Sequence, residues 1–188
     1  GGDLDGAYCG FLDERPAGWM QNFSAGEKTT WVATGHTLTK EQLEAQRADI
    51  ARKREERQRL ILEQQQKTAR EAHTEWIAHD WASADNPYLQ AKGVLPFGVR
   101  EDVDGTLLVP VMTVGKELRG LQSISPEGEK RFMYGMEKNG NFHLIAEPGK
   151  EPSKDLAQGE IILTEGYATG ATLHMATEKP VAVAYKFP

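Results

Sequence analysis

One cysteine in 188 residues, Cys9, excludes any disulfide within the chain and any cysteine-rich zinc site. A reducing, cytoplasmic setting is the resulting expectation. Long hydrophobic runs are missing too: apolar stretches such as Leu107-Leu108-Val109 are far too short to cross a bilayer, so no membrane partner is expected. Basic charge is not in excess. With 22 Lys+Arg against 28 Asp+Glu the net charge is −6, which excludes coating of nucleic acid by bulk electrostatics and leaves room only for a local basic patch. No charged, apolar, small-residue progression opens the chain, so the sequence carries no targeting signal to read and Gly1-Gly2 reads as an arbitrary start. Five histidines include no pair at metal-ligand spacing, since His73 and His79 are six apart and off one helical face.

Glycine and proline are absent from residue 39 to residue 82, and what is present there is dense charge of both signs. The run Arg52-Lys53-Arg54-Glu55-Glu56-Arg57-Gln58-Arg59 has no apolar residue. Thr39 followed by Gln42 is a capping-box pattern, so one helix is expected from there to about Ala82, some 65 Å long at ~1.5 Å per residue. Its apolar positions, Leu43 and Ile50 at one end and Leu60, Ile61, Leu62, Trp76, Ile77 and Trp81 at the other, leave a gap at 51–59. A continuous coiled-coil seam would not break there, so the helix reads as a spacer.

Before the helix, Tyr8, Phe11, Trp19, Phe23 and Trp31 are separated by turn-like segments, which predicts three short antiparallel strands. In so small a sheet Trp19 and Trp31 are expected to form the core rather than a base-stacking surface, with Cys9 as a small core side chain. After the helix, Asp85-Asn86-Pro87-Tyr88 reads as a stop and turn. Strands are then expected at 105–111, 118–124, 130–134 and 141–145 as an antiparallel meander, with turns at Asp104-Gly105, Pro126-Glu127-Gly128 and Asn139-Gly140. A polar loop, 147–159, precedes a β-α-β pattern: strand 160–164, helix Ala168 to Thr177, strand 181–185. The expected fold class is therefore α+β: a small antiparallel N-terminal sheet (1–38), a long charged spacer helix (39–83), an antiparallel β region (84–158) and an incomplete α/β unit (159–188).

Two positions carry candidate chemistry. Glu165-Gly166 sits where the first strand of the β-α-β unit gives way to its helix, the place where open α/β sheets bind ligands, and a carboxylate there suits a divalent cation or acid/base work. Lys130 and Arg131, with Phe132 and Tyr134, combine cations and rings in the manner of single-strand binding surfaces; alternation places Lys130, Phe132 and Tyr134 on one face and Arg131 on the other.

The ordered series Asn86-Pro87-Tyr88-Leu89-Gln90-Ala91-Lys92-Gly93-Val94, Gly105-Thr106-Leu107-Leu108-Val109-Pro110, Gly120-Leu121-Gln122, Gly128-Glu129-Lys130-Arg131-Phe132, Phe142-His143 and Glu165-Gly166-Tyr167-Ala168-Thr169-Gly170 resembles conjugative-plasmid and phage-type DNA primases. Asp5-Gly6-Ala7-Tyr8, Pro16-Ala17-Gly18, Asn22-Phe23 and Gly26-Glu27 with Trp31 are similar to the segment that precedes it in those proteins. The last motif resembles the opening strand and helix of their Toprim domain. The resemblance implies a nucleotidyltransferase that makes primers on single-stranded DNA in plasmid or phage replication or conjugation, with Glu165 as its catalytic position. It also implies Mg²⁺ in the parent enzyme, single-stranded DNA and nucleotides as partners, and a helicase or self-association through the sheet edge at Val181–Tyr185 or the long helix. The family's Asp-x-Asp strand, which holds Mg²⁺, has no counterpart before Lys186-Phe187-Pro188, so Glu165 is only part of a metal site and a truncated, inactive form is the expectation. A non-enzymatic nucleic-acid- or protein-binding adaptor is the alternative.

Overall fold

The computed structural model describes residues 5–12, 16–34, 39–146 and 160–185. It divides into two units, Gly1–Glu55 and Glu56–Pro188, the division falling inside the long helix. In the first unit β1 (Gly6–Phe11), β2 (Ala17–Asn22) and β3 (Glu27–Val32) form the expected three-stranded antiparallel sheet in the order β1-β2-β3. The second hairpin turns where Asn22 Oδ1 accepts the N–H groups of Ser24 and Ala25 and Gly26 takes φ +67°. The expectation of a closed Trp core is corrected. Trp31 lies flat on Gly18, where a Cβ would be 2.7 Å from its Nε1, yet the ring stays 45% exposed, and among the described residues of this unit only Gly18 is buried. Too few residues face either side of three strands to seal a core.

Helix α1 (Lys40–Ala78) opens with the reciprocal capping box: the Gln42 N–H donates to Thr39 Oγ1 and the Thr39 N–H to Gln42 Oε1. It stops before Ala82 because Asp80–Trp81 leaves as a short strand, β4, paired with β5 (Arg100–Glu101). The Arg100 guanidinium donates to the carbonyls of Trp76 and His79 and stacks between the rings of Trp76 and Trp81, at 4.9 and 4.7 Å. A cation thus satisfies the orphan carbonyls of the last turn. The apolar stripe expected near this end is not what packs: Leu60, Ile61, Leu62 and Ile77 are exposed, while the small Thr68 and Ala72 are buried. Thr68 Oγ1 donates to the Tyr134 carbonyl, and Gln64 crosses Gly135. Small side chains let this turn sit close to the helix.

The segment read as a turn at 85–88 contains a short helix, α2 (Pro87–Lys92), with Asn86 Oδ1 capping the N–H groups of Tyr88 and Leu89, Pro87 at its start and Gly93 left-handed at its end. Then come β6 (Leu107–Met112), β7 (Leu118–Ile124), β8 (Lys130–Phe132), β9 (Phe142–Ile145), β10 (Ile162–Thr164), α3 (Tyr167–Thr177) and β11 (Val181–Ala184). The turns at Gly105, Gly128 and Gly140 take the positive φ their sequences demand. β6, β7 and β8 form the meander, but β9 leaves it and pairs with β11, so the β region and the β-α-β unit share one mixed sheet. Only β10 and β11 run parallel. β11 is therefore internal, flanked by β10 and β9; the edge expected at Val181–Tyr185 lies instead at β10. The loop 147–159 lies outside the described residues.

α2 and α3 cover the face that carries Leu107, Val109, Ile124, Ile145, Val181 and Val183. Gly170 sets how close α3 comes: a Cβ there would lie 3.0 Å from Val183 Cγ2 and 3.1 Å from both Ile145 Cδ1 and Thr164 Oγ1. The segment between α2 and β5 is held to the same layer through Phe97. Its N–H donates to Tyr167 Oη at 2.7 Å, its carbonyl lies 2.9 Å from His143 Nε2, and its ring meets His174 edge-on at 4.8 Å. His143 is buried, and that burial pushes its pKa down to about 4 although the carbonyls of Phe97 and Pro110 pull the other way.

Two outcomes follow for stability. Gly170→Ala gains about 1 kcal/mol of helix propensity but must force apart three buried side chains, at a cost of about 1–3 kcal/mol, so its urea midpoint falls. A midpoint equal to or above that of the parent chain contradicts the close approach. For His143, the folded-state value of about 4 lies below the ordinary 6.5, so between these values the unfolded chain binds more protons. The stability is fully present above pH 6.5 and is lost as pH falls towards 4, by up to about 3 kcal/mol. Urea unfolding at pH 7 and pH 4.5 measures the loss, which His143→Leu largely removes.

Candidate functional site

The parallel strands β10 and β11 place their carboxyl ends together, and the chain leaves β10 through Glu165 and Gly166 to begin α3. Gly166 is extended (φ −135°, ψ 142°) and caps the helix without a side chain, so the first amide groups of α3 have no side-chain acceptor. Glu165 is exposed at this lip. The sheet coils so that β8 returns to the same corner: Lys130 Nζ lies 3.4 Å from where a Gly166 Cβ would be, and Phe132 meets Tyr185 edge-on at 5.0 Å.

Beside this corner is a cleft of about 480 Å³. Tyr88 and Lys92 of α2 form one wall, Thr169 and Thr172 of α3 the opposite wall, and Lys130 of β8 closes one side. Lys92 Nζ stands 5.9 Å from the Tyr88 ring centre, and burial raises the Tyr88 hydroxyl pKa. Neither Lys92 nor Lys130 has an ion-pair partner among the described residues, so two ammonium groups line the cleft without a paired carboxylate. Thr172 Oγ1 donates to the Ala168 carbonyl, while Thr169 is exposed. Such a constellation favours a ligand carrying negative charge and a flat ring.

The structure brings two of the three sequence-predicted residues together. Glu165 and Lys130 share the corner. Arg131 does not: it faces away, as alternation requires, and pairs with Glu129 at 3.1 Å. Tyr134 is also displaced from its expected strand, because β8 ends at Phe132 and Tyr134 lies in the following turn, 88% exposed. Two cations escaped the sequence reading. Lys92 was hidden because its segment read as a turn, although Asn86, Pro87 and Gly93 at cap spacing spell a two-turn helix. Lys138, whose Nζ sits 4.1 Å over the Phe132 ring, lies beyond the strand and no periodicity marks it.

For a divalent cation, the described residues do not suffice. No three His, Cys, Asp or Glu side chains converge among them, and Glu165 supplies one carboxylate where Mg²⁺ chemistry on phosphates calls on more. Among the described residues no helix is long and apolar enough to cross a membrane.

Comparison with known proteins gives one consistent relationship. The chain is 31% identical over 191 residues to a DNA primase TraC of Escherichia coli, covering 98% of the chain and 13% of that protein. To a second Escherichia coli DNA primase TraC it is 28% identical over 186 residues, covering 98% of the chain and 17% of that protein. It is thus similar along nearly its whole length to one segment of TraC-type primases, and it spans about a sixth or less of those relatives. No family model matches, and no solved structure does.

Proposed function

We propose that this chain is the segment of a TraC-type DNA primase that meets single-stranded DNA and nucleotides at the carboxyl ends of β10 and β11. The observation that supports it most is the convergence of Glu165, Lys130 and the α3 N-terminus on one corner of the sheet, in a chain whose relatives are primases throughout its length. In this reading the strand β10, helix α3 and strand β11 are the opening of a Toprim domain. Glu165 is the carboxylate that takes part in nucleotidyl transfer, and it would be one of several ligands that Mg²⁺ needs there, the described residues supplying no other. Lys130 neutralises a phosphate beside it, with Phe132 behind; Arg131, already paired with Glu129, contributes only through the long-range field. A pure adaptor has no need of a carboxylate and unpaired ammonium groups at one helix start, which favours the primase reading. With one carboxylate at the site, the chain by itself makes no primers.

These statements lead to two measurements. Binding of a fluorescent single-stranded oligonucleotide weakens in Lys130→Ala by about 5-fold at low salt, with the salt slope reduced by about 0.7, whereas Arg131→Ala changes affinity by less than about 2-fold. Equal effects of the two substitutions, or none, contradict the placement. In a primer-synthesis assay with template, Mg²⁺ and ribonucleotides the isolated chain gives no product; robust product overturns the view that Glu165 needs further carboxylates.

A further inference from the structure

We propose that Tyr167 is the positioning residue of this site: through the segment Val94–Val99 it fixes the Lys92 wall of the cleft against the α3 wall. The inference rests on the reading above for what the cleft holds, and on geometry alone for how its walls are fixed.

Tyr167 is the first residue of α3, two residues after Glu165, and it is fully buried. Its hydroxyl does two things at once. It donates to the Leu95 carbonyl at 3.0 Å and accepts the Phe97 N–H at 2.7 Å. Both backbone groups belong to the segment that leaves α2, whose own end is tightly tied: Gly93, left-handed, donates to the Gln90 carbonyl, and the Val94 N–H donates to the Leu89 carbonyl. Lys92 is therefore separated from the first gripped residue, Leu95, by only two residues, one of them locked in the helix cap. A shift of Leu95 and Phe97 has no slack in which to be absorbed before it reaches Lys92. His143, on β9, holds the Phe97 carbonyl to the sheet and lies beside Gly98, and His174, farther along α3, meets the Phe97 ring edge-on, but neither hydrogen-bonds both Leu95 and Phe97 as the Tyr167 hydroxyl does. Among the described residues Tyr167 alone hydrogen-bonds this segment to α3, whose Thr169 and Thr172 line the opposite wall.

Tyr167→Phe removes the hydroxyl and leaves the ring. The expected result in ligand-free chain is amide exchange at Phe97 faster by about 5-fold or more, with β6 and β7 unchanged, and shifted amide resonances across residues 88–97. For binding of the single-stranded oligonucleotide, Lys92→Ala weakens the parent chain by about 5-fold but the Tyr167→Phe chain by less than about 2-fold, while Lys130→Ala keeps its full effect in both. A residue that merely stabilises the fold would scale both lysine effects alike. Independent, multiplying effects of Tyr167→Phe and Lys92→Ala overturn the proposal, as does unchanged exchange at Phe97. If the parent chain binds no oligonucleotide, the functional reading fails, and exchange and resonance shifts still decide whether Tyr167 holds the Lys92 wall.

Discussion

The closeness of α3 to the sheet at Gly170 is the constraint on which the rest of the second unit depends. A side chain at that position would meet Val183, Ile145 and Thr164 together, contributed by three strands, β11, β9 and β10. With the helix pressed to that depth, Tyr167 one turn earlier is carried below the surface, where its hydroxyl reaches the backbone of Leu95 and Phe97, and Ala171 is sealed against the core. Raise the helix by the radius of one methyl group and the hydroxyl no longer spans to both partners. The start of the helix, and with it Gly166 and Glu165, is therefore placed by packing several residues downstream rather than by any cap of its own.

That dependence explains what could be read in the sequence and what could not. Periodicity and turn chemistry are local, and most of what they set is present as read: the three N-terminal strands, the Thr39–Gln42 box, the glycine turns and the β-α-β order, with the local caps of α2 the exception. Pairing between distant strands is not local. Nothing in Phe142–Ile145 announces that it will abandon β8 and lie against β11, because the same alternating residues serve either neighbour. The helix end misled for a related reason. Residues 79–82 have adequate helix formers, and the chain departs there only because Arg100, some twenty residues later, takes the carbonyls of Trp76 and His79. The place of Glu165 at a strand end was legible; Lys92 was missed because the caps of α2 read as a turn, and Lys138 because its contact with the Phe132 ring is one that sequence order does not show.

Electrostatics adds a second level to the same point. A chain of net charge −6 is a poor general ligand for nucleic acid, yet charge at a site is decided by pairing rather than by the sum. Four cations of α1 are matched along the helix, Arg52 and Lys53 with Asp49, Arg59 with Glu63 and Lys67 with Glu71, and Arg119 and Arg131 are matched within the sheet. These exposed pairs stabilise little, but they mute the field around them. Lys92 and Lys130 are distinguished by lining one cleft together, neither with an ion-pair partner among the described residues. The neighbouring carboxylate, Glu165, is exposed at the lip and is not among the residues that line the cleft.

Three buried oxygens sharpen what this corner is for. Gln122 Oε1, Thr164 Oγ1 and Tyr185 Oη have no hydrogen-bond partner among the described residues. They do not lie at random: Gln122 stands opposite Phe132 on β8, Thr164 is the last residue of β10, and Tyr185 follows β11 and packs on Phe132. An unanswered buried oxygen costs about 1–3 kcal/mol, and a fold optimised for stability alone would replace such groups with apolar ones of similar shape. Their gathering beside the carboxyl ends of the parallel strands, near Glu165 and Lys130, sets polar groups at the end of the sheet where open α/β folds commonly bind ligands.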